Sequence, residues 1–249
     1  MNAPALLERA DAYLRYQSRD SRSAGVASGP PRGFITISRQ AGSGGSSLAR
    51  ILNATSESNE SWHVYEGNLT VQMLQQNRLP SRLARYLPED RIAEPDASIG
   101  EMIGLHPNLW ELVQKTNQTV RQLAGAGHVI LVGRGANFAT ADLVGGFHVR
   151  LIASVEHRAS YLARRYGISE SEARAHNDRC DAARRRYVRA TFNTDVTDPA
   201  AYHLTINTGQ ITLTDAAQLI WSQLRARARP SERTNRVQVA GSSSVWISA

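Results

Sequence analysis

Seven residues whose types suit the handling of phosphate stand close together: Arg39, Gly42, Ser43, Gly44, Gly45, Ser46 and Ser47. They lie within the run Phe34-Ile35-Thr36-Ile37-Ser38-Arg39-Gln40-Ala41-Gly42-Ser43-Gly44-Gly45-Ser46-Ser47-Leu48-Ala49-Arg50. The glycines can adopt positive φ and let a polyphosphate approach main-chain N–H groups, and a helix that starts there turns its partial positive charge toward the anion. The run departs from the standard phosphate loop G-x-x-x-x-G-K-[ST], with Arg39 in place of the first glycine and Gly45 in place of the lysine. Lys115 is the only lysine in the chain. Any cationic charge at this loop must therefore come from arginine, which binds phosphate through a planar fork and not as a point charge. An ordinary glycine-rich turn between a strand and a helix would use the same residues.

Two further candidates stand where apolar runs end. Glu66 follows Trp62 to Tyr65, and Arg134 lies between Gly133 and Gly135 after His128 to Val132. Arg134 could reach a phosphate or form a surface ion pair. Glu66 could orient a base, a sugar or a metal-bound water, or simply favour a helix start for dipole reasons. A third set, Arg158, Arg164, Arg165, Arg174, Arg179, Arg184, Arg185, Arg186 and Arg189, crowds one helical region. There Ser169-Glu170-Ser171-Glu172 has the form of a capping box. Asp181 is helically spaced to pair with Arg184 or Arg185, and the segment could also act as a lid whose arginines close over phosphates.

The elements that must position these residues follow from the apolar pattern. Strand-like runs at Phe34 to Ser38, Trp62 to Tyr65, His128 to Val132, Phe147 to Ala153 and Tyr202 to Asn207 alternate with helical ones. This predicts an α/β fold with a parallel sheet covered on both faces and ligands beyond the carboxyl ends of the strands. Residues 1–32 are expected to form an N-terminal helix and a Ser/Gly/Pro-rich linker, 33–228 the main domain and 229–249 a flexible tail. The insertion from Glu66 to Gly127 is too long for a simple crossover. It carries Leu109, Leu112, Val113, Thr116, Val120 and Leu123 on one helical face, closed by Gly125 and Gly127. A last helix is expected over about Leu213 to Ala228.

Composition narrows the function classes. With 249 residues and 41% hydrophobic content the chain can bury a full core. No apolar run approaches the roughly 18 residues of a membrane span and no secretory leader is visible, so a cytoplasmic location without membrane insertion is expected. Cys180 is the sole cysteine, which excludes an internal disulfide and a multi-cysteine metal site. The net charge of +7 suits phosphate-rich ligands. A nucleic-acid partner is less well supported, because the aromatic residues do not interleave with the basic ones.

Four motifs in order give the chain a family likeness: Ile35-Thr36-Ile37-Ser38-Arg39-Gln40 through Gly42-Ser43-Gly44-Gly45, Ile130 to Asn137, Asp181-x-x-Arg184-x-x-Tyr187, and Asp198-x-x-x-Tyr202-His203-Leu204-x-Ile206-Asn207-Thr208. Together they resemble the cytidylate kinase-like family over about residues 33 to 225. Ordinary cytidylate kinases carry the loop lysine, and this chain resembles a branch that lacks it; the family tends to have aspartate where this chain has Glu66. The resemblance implies a P-loop, nucleoside monophosphate kinase-like fold, with a five-stranded parallel sheet flanked by helices, a helical monophosphate-binding insertion and a lid. It implies an ATP- and Mg²⁺-dependent phosphotransferase acting on a nucleoside monophosphate such as CMP. A non-catalytic nucleotide-binding sensor or scaffold on the same fold is the alternative. On this likeness the loop from Gly42 to Ser47 holds the donor, Ser46 or Ser47 turns a hydroxyl to Mg²⁺, and Arg39 partly replaces the lysine. Arg134 grips the acceptor phosphate with Glu66 and Asp181 on the substrate side, while Arg158, Arg184 and one of Arg164 or Arg165 offset charge on the transferred group.

Overall fold

The computed structural model describes residues 33–56, 62–66 and 107–228. The expected N-terminal helix, the tail and much of the insertion lie outside these residues. Five strands form one parallel sheet: β1 (Phe34–Arg39), β2 (His63–Tyr65), β3 (Val129–Val132), β4 (Gly146–Ile152) and β5 (Leu204–Asn207). Their spatial order is β2-β3-β1-β4-β5. Register is set by pairs such as Ile37 with Val132, Ser38 with Arg150 and Leu151 with Ile206. The helices are α1 (Gly45–Ala54), α2 (Pro107–Ala126), α3 (Ala136–Ala139), α4 (Val155–Tyr166), α5 (Glu170–Phe192) and α6 (Leu213–Ala228). β5 begins two residues later than the apolar run, because a 3-10 turn at Pro199–Ala201, capped by Asp198, carries Tyr202 into place. No helix among the described residues is long and apolar enough to cross a membrane.

The two faces of the sheet differ. Side chains alternate along a strand, so Ile35, Ile37, Val149 and Leu151 point one way and pack with Leu48, Leu52, Ile220 and Trp221 of α1 and α6. The other face of β1 and β4 carries Thr36, Ser38, His148 and Arg150, all buried and all polar. This polar layer lies beside an apolar cluster in which Phe34, Val129 and Leu131 meet Leu123 and Ala136. α4 and α5 share a small core of their own, Ala159, Leu162, Ala163 and Ala173 with Ile168. Gly167 ends α4 at φ +68°, and the predicted capping box of Ser169 and Glu172 opens α5.

Within the polar layer the Thr36 hydroxyl lies 2.9 Å from His148 Nδ1, and the His148 main-chain N–H donates to His203 Nδ1. Burial, then the charges of His203 and Arg227, pushes the His148 pKa down to about 4. Because the folded value lies below that of the unfolded chain, folding favours the neutral ring. The resulting stability is complete above about pH 6.5 and is lost as pH falls toward 4. The thermal midpoint is therefore expected to drop between pH 7 and 5, and a His148→Gln variant to show a shallower drop. Equal slopes would remove His148 as the cause.

Candidate active site

The glycine loop joins β1 to α1 at the carboxyl edge of the sheet, and most of it is braced from within. Gln40 anchors it to β4: its N–H donates to the Leu151 carbonyl at 3.0 Å, and its side-chain carbonyl accepts the Ala153 N–H at 3.0 Å. Ser43 donates both its N–H and its hydroxyl to the Gln40 carbonyl. Ser43 was expected among the phosphate ligands; both its donors are instead spent inside the turn.

Two glycines of the loop are tightly packed on one side. Gly42 has φ +78° and Gly44 φ +85°, a backbone region that disfavours any residue with a Cβ. A Cβ on Gly42 would stand 2.5 Å from the Arg158 carbonyl, and one on Gly44 would stand 3.0 Å from Leu213. Both glycines line the cleft at the start of α1, and their lack of a side chain also lets the turn pack against α4, α5 and α6. A Gly42→Ala variant is expected to be destabilised by roughly 1–3 kcal/mol from strain and overlap, measurable by chemical denaturation.

The anion-binding capacity lies at the start of α1. Gly44 caps the helix in a left-handed conformation and no side chain caps the first turn. Its N–H groups open on a cleft of about 160 Å³ lined by Arg39, Ser46, Ser47, Arg50, Glu66, Arg165 and Arg184. The Ser47 hydroxyl lies 2.8 Å from that of Tyr161 on α4. Glu66 brings a carboxylate to this same cleft.

Asp181 holds the loop from the side of α5. Its Oδ1 accepts the Ala41 N–H at 2.7 Å, and its Oδ2 accepts Arg158 Nη1 at 2.8 Å. Arg184 Nη1 approaches Oδ1 at 3.3 Å. Arg158 also donates to the Ala41 carbonyl at 2.9 Å and to the Ala153 carbonyl at 3.2 Å. Arg158 and Asp181 were expected beside the transferring group and the substrate. In the structure they form a clasp between loop, α4 and α5 that commits Arg158 Nε and Nη1, and neither residue lines either cavity. Arg184 pairs with Asp181 as its helical spacing predicts, whereas Arg185 is exposed.

A second, nearly filled cavity of about 30 Å³ lies between β1, the turn after β3, and α5. It is lined by Ser38, Arg39, Arg134, Asn137, Arg184 and Tyr187. Gly133, Arg134 and Gly135 all have positive φ, with Arg134 at +57°. A long side chain in this conformation costs about 1–2 kcal/mol, and the turn uses it to place Arg134 beneath α5 with 9% exposure. Asn137 Nδ2 is buried there with no hydrogen-bond partner among the described residues. Arg39 and Arg184 line both cavities.

Arg150 was missed by the sequence reading. Its guanidinium, with the residue only 6% exposed, reaches the Ser38 hydroxyl at 3.3 Å and the Tyr202 hydroxyl at 3.4 Å, and lies over the Tyr202 ring. Tyr202 in turn donates to the carbonyl of Val196, a wall of the smaller cavity. The available signal was polarity at every second position of Phe147-His148-Val149-Arg150-Leu151, which marks one polar sheet face.

Comparison with known proteins agrees with this architecture. The family described as cytidylate kinase-like matches residues 34–210. The crystal structure of an uncharacterized protein from Eubacterium ventriosum aligns with TM-score 0.60 at 17% identity, covering 79% of this chain and 99% of that one, and shares the fold. A gluconokinase from Sinorhizobium meliloti aligns with TM-score 0.44 at 14% identity over 80% of this chain and 95% of its own. The APS kinase CysC of Mycobacterium tuberculosis, in complex with AMPPNP and APS, aligns with TM-score 0.44 at 15% identity over 79% and 99% respectively. No curated protein matches the sequence.

Proposed function

We propose that this chain, which belongs to the cytidylate kinase-like family, moves the γ-phosphoryl group of ATP to a nucleoside monophosphate such as CMP. The observation that carries the reading is the shared wall. Arg39 and Arg184 face both the cleft at the α1 N-terminus and the cavity that holds Arg134. A group passing between a donor in the first and an acceptor in the second crosses these two guanidiniums. Phosphoryl transfer needs little covalent chemistry from the protein, so position and charge at that crossing supply most of the catalysis.

The roles divide by place. The first-turn N–H groups of α1 bind donor phosphates, and Asp181 and Arg158 keep the loop in register for them. Arg39 and Arg184 stabilise charge on the transferring group. Arg134, with Asn137 beside it, holds the acceptor phosphate. The residues fit Mg²⁺ as an ion carried mainly by phosphate oxygens: Ser46, Ser47 and Glu66 line the donor cleft, and no cluster of three acidic, His or Cys ligands exists among the described residues. When bound, the ion would neutralise phosphate charge, and Ser46 and Ser47 are the hydroxyls that would hold it.

A coupled phosphotransfer screen over nucleoside monophosphates with ATP and Mg²⁺ tests the proposal. An Arg134→Ala variant is expected to raise KM for the acceptor by roughly tenfold or more and to leave ATP binding nearly unchanged. Equal losses for the two ligands would assign Arg134 a structural role. The sensor reading draws on the smaller cavity, which holds little more than a water molecule or two as it stands. Nucleotide binding without turnover on any monophosphate would favour it.

A further inference from the structure

We infer that Arg39 and Gly45 are a reciprocal exchange within the phosphate loop, each having its identity because of the other. Gly45 is the first residue of α1 and is not among the positive-φ glycines, so the backbone does not require glycine there. What requires it is Arg39. A Cβ on Gly45 would stand 2.9 Å from Arg39 Cγ and 3.1 Å from its Cδ, in the middle of a side chain that is only 8% exposed. The stem of Arg39 therefore occupies the space that any side chain at position 45 would need, and both residues line the donor cleft.

The standard loop has glycine at the position of Arg39 and lysine at that of Gly45. This chain has the cation and the glycine exchanged across the turn. The loop has room for one long cationic side chain, entering either from the end of β1 or from the start of α1. Arg39 is thus the occupant of the lysine's place, and Gly45 is the positioning residue that admits it. The inference rests on the proposed kinase reading only for its ligand class, a magnesium-bound polyphosphate.

The exchange predicts a double-variant rescue, read by calorimetric titration with Mg·ATP and with magnesium tripolyphosphate. Arg39→Met keeps most of the stem volume and removes the charge; it is expected to weaken both ligands by roughly tenfold or more. Arg39→Gly alone is expected to lose at least as much, and Arg39→Gly combined with Gly45→Lys to return to within a few-fold of the starting affinity. A double variant no tighter than Arg39→Gly, or an Arg39→Met protein that binds as before, would overturn the inference. The steric half is read without ligand: Gly45→Ala lowers the melting temperature when Arg39 is present, and not when residue 39 is glycine. An equal fall in both backgrounds also overturns it. If the rescue appears while no monophosphate is phosphorylated, the exchange stands and the kinase reading falls. If turnover occurs with no rescue, the exchange alone falls.

Discussion

An Asp181→Ala variant is expected to lose about 3–5 kcal/mol of stability, the range for breaking a buried ion pair from one side. Three groups depend on this carboxylate: the Ala41 N–H, Arg158 and Arg184. Arg158 is 5% exposed on its side chain and would keep its charge with only two carbonyl acceptors. For a domain of this size the loss corresponds to a fall of roughly 6–20 °C in Tm, which calorimetry would detect. Asp181→Asn is expected to fall between, since its amide oxygen can still accept the Ala41 N–H. The Asp181→Ala, Arg158→Met pair should recover much of the loss, because no lone buried charge remains. A single Asp181→Ala variant as stable as the original chain would show that the clasp contributes nothing.

The second large effect is expected on rate. Arg184→Ala is expected to lower kcat by about two orders of magnitude or more, with a much smaller change in nucleotide affinity, as for the loss of a preorganised contact made mainly in the transition state. The position of Arg184 on the wall common to both cavities motivates this. Single-turnover phosphotransfer separates the rate from binding, and Arg184→Lys shows whether charge alone suffices or the planar fork is needed. An unchanged rate for Arg184→Ala would move the catalytic charge to Arg39 or Arg165.

Much of the frame was legible because it rests on local rules. Continuous apolar runs marked the strands, Ser169 and Glu172 marked the start of α5, and α6 spans Leu213–Ala228 as its pattern predicts. The site was legible in composition and less so in direction. A sequence shows that Gly42 and Gly44 are free to take positive φ, but not that the space beside them is filled by Arg158 and Leu213. It shows Asp181 within reach of Arg184, a local helical pair. It does not show the bond to Ala41, 140 residues away, or that to Arg158, because these depend on how α4 and α5 fold back over the loop. Arg150 was hidden for a related reason: its meaning comes from Ser38 and Tyr202, which only the assembled sheet brings to it.

The unequal faces of the sheet have a mechanical consequence. On the side of α1 and α6, separation would expose Ile37, Val149, Leu151 and Trp221 to water, so that half behaves as a rigid block. On the other side, the layer around Ser38, His148 and Arg150 is made of groups that water can satisfy once they are uncovered. Prying α5 away there would break the bonds of Asp181 to Ala41 and Arg158 and uncover Tyr187, Val188 and Phe192. One face is thus held by broad apolar contact, and the other by a polar layer, the Asp181 clasp and a small aromatic patch of Phe138, Tyr187 and Phe192. Hydrogen exchange should register this as labelling along α5 that quickens when Asp181 is replaced by alanine, while β1 and β4 remain protected.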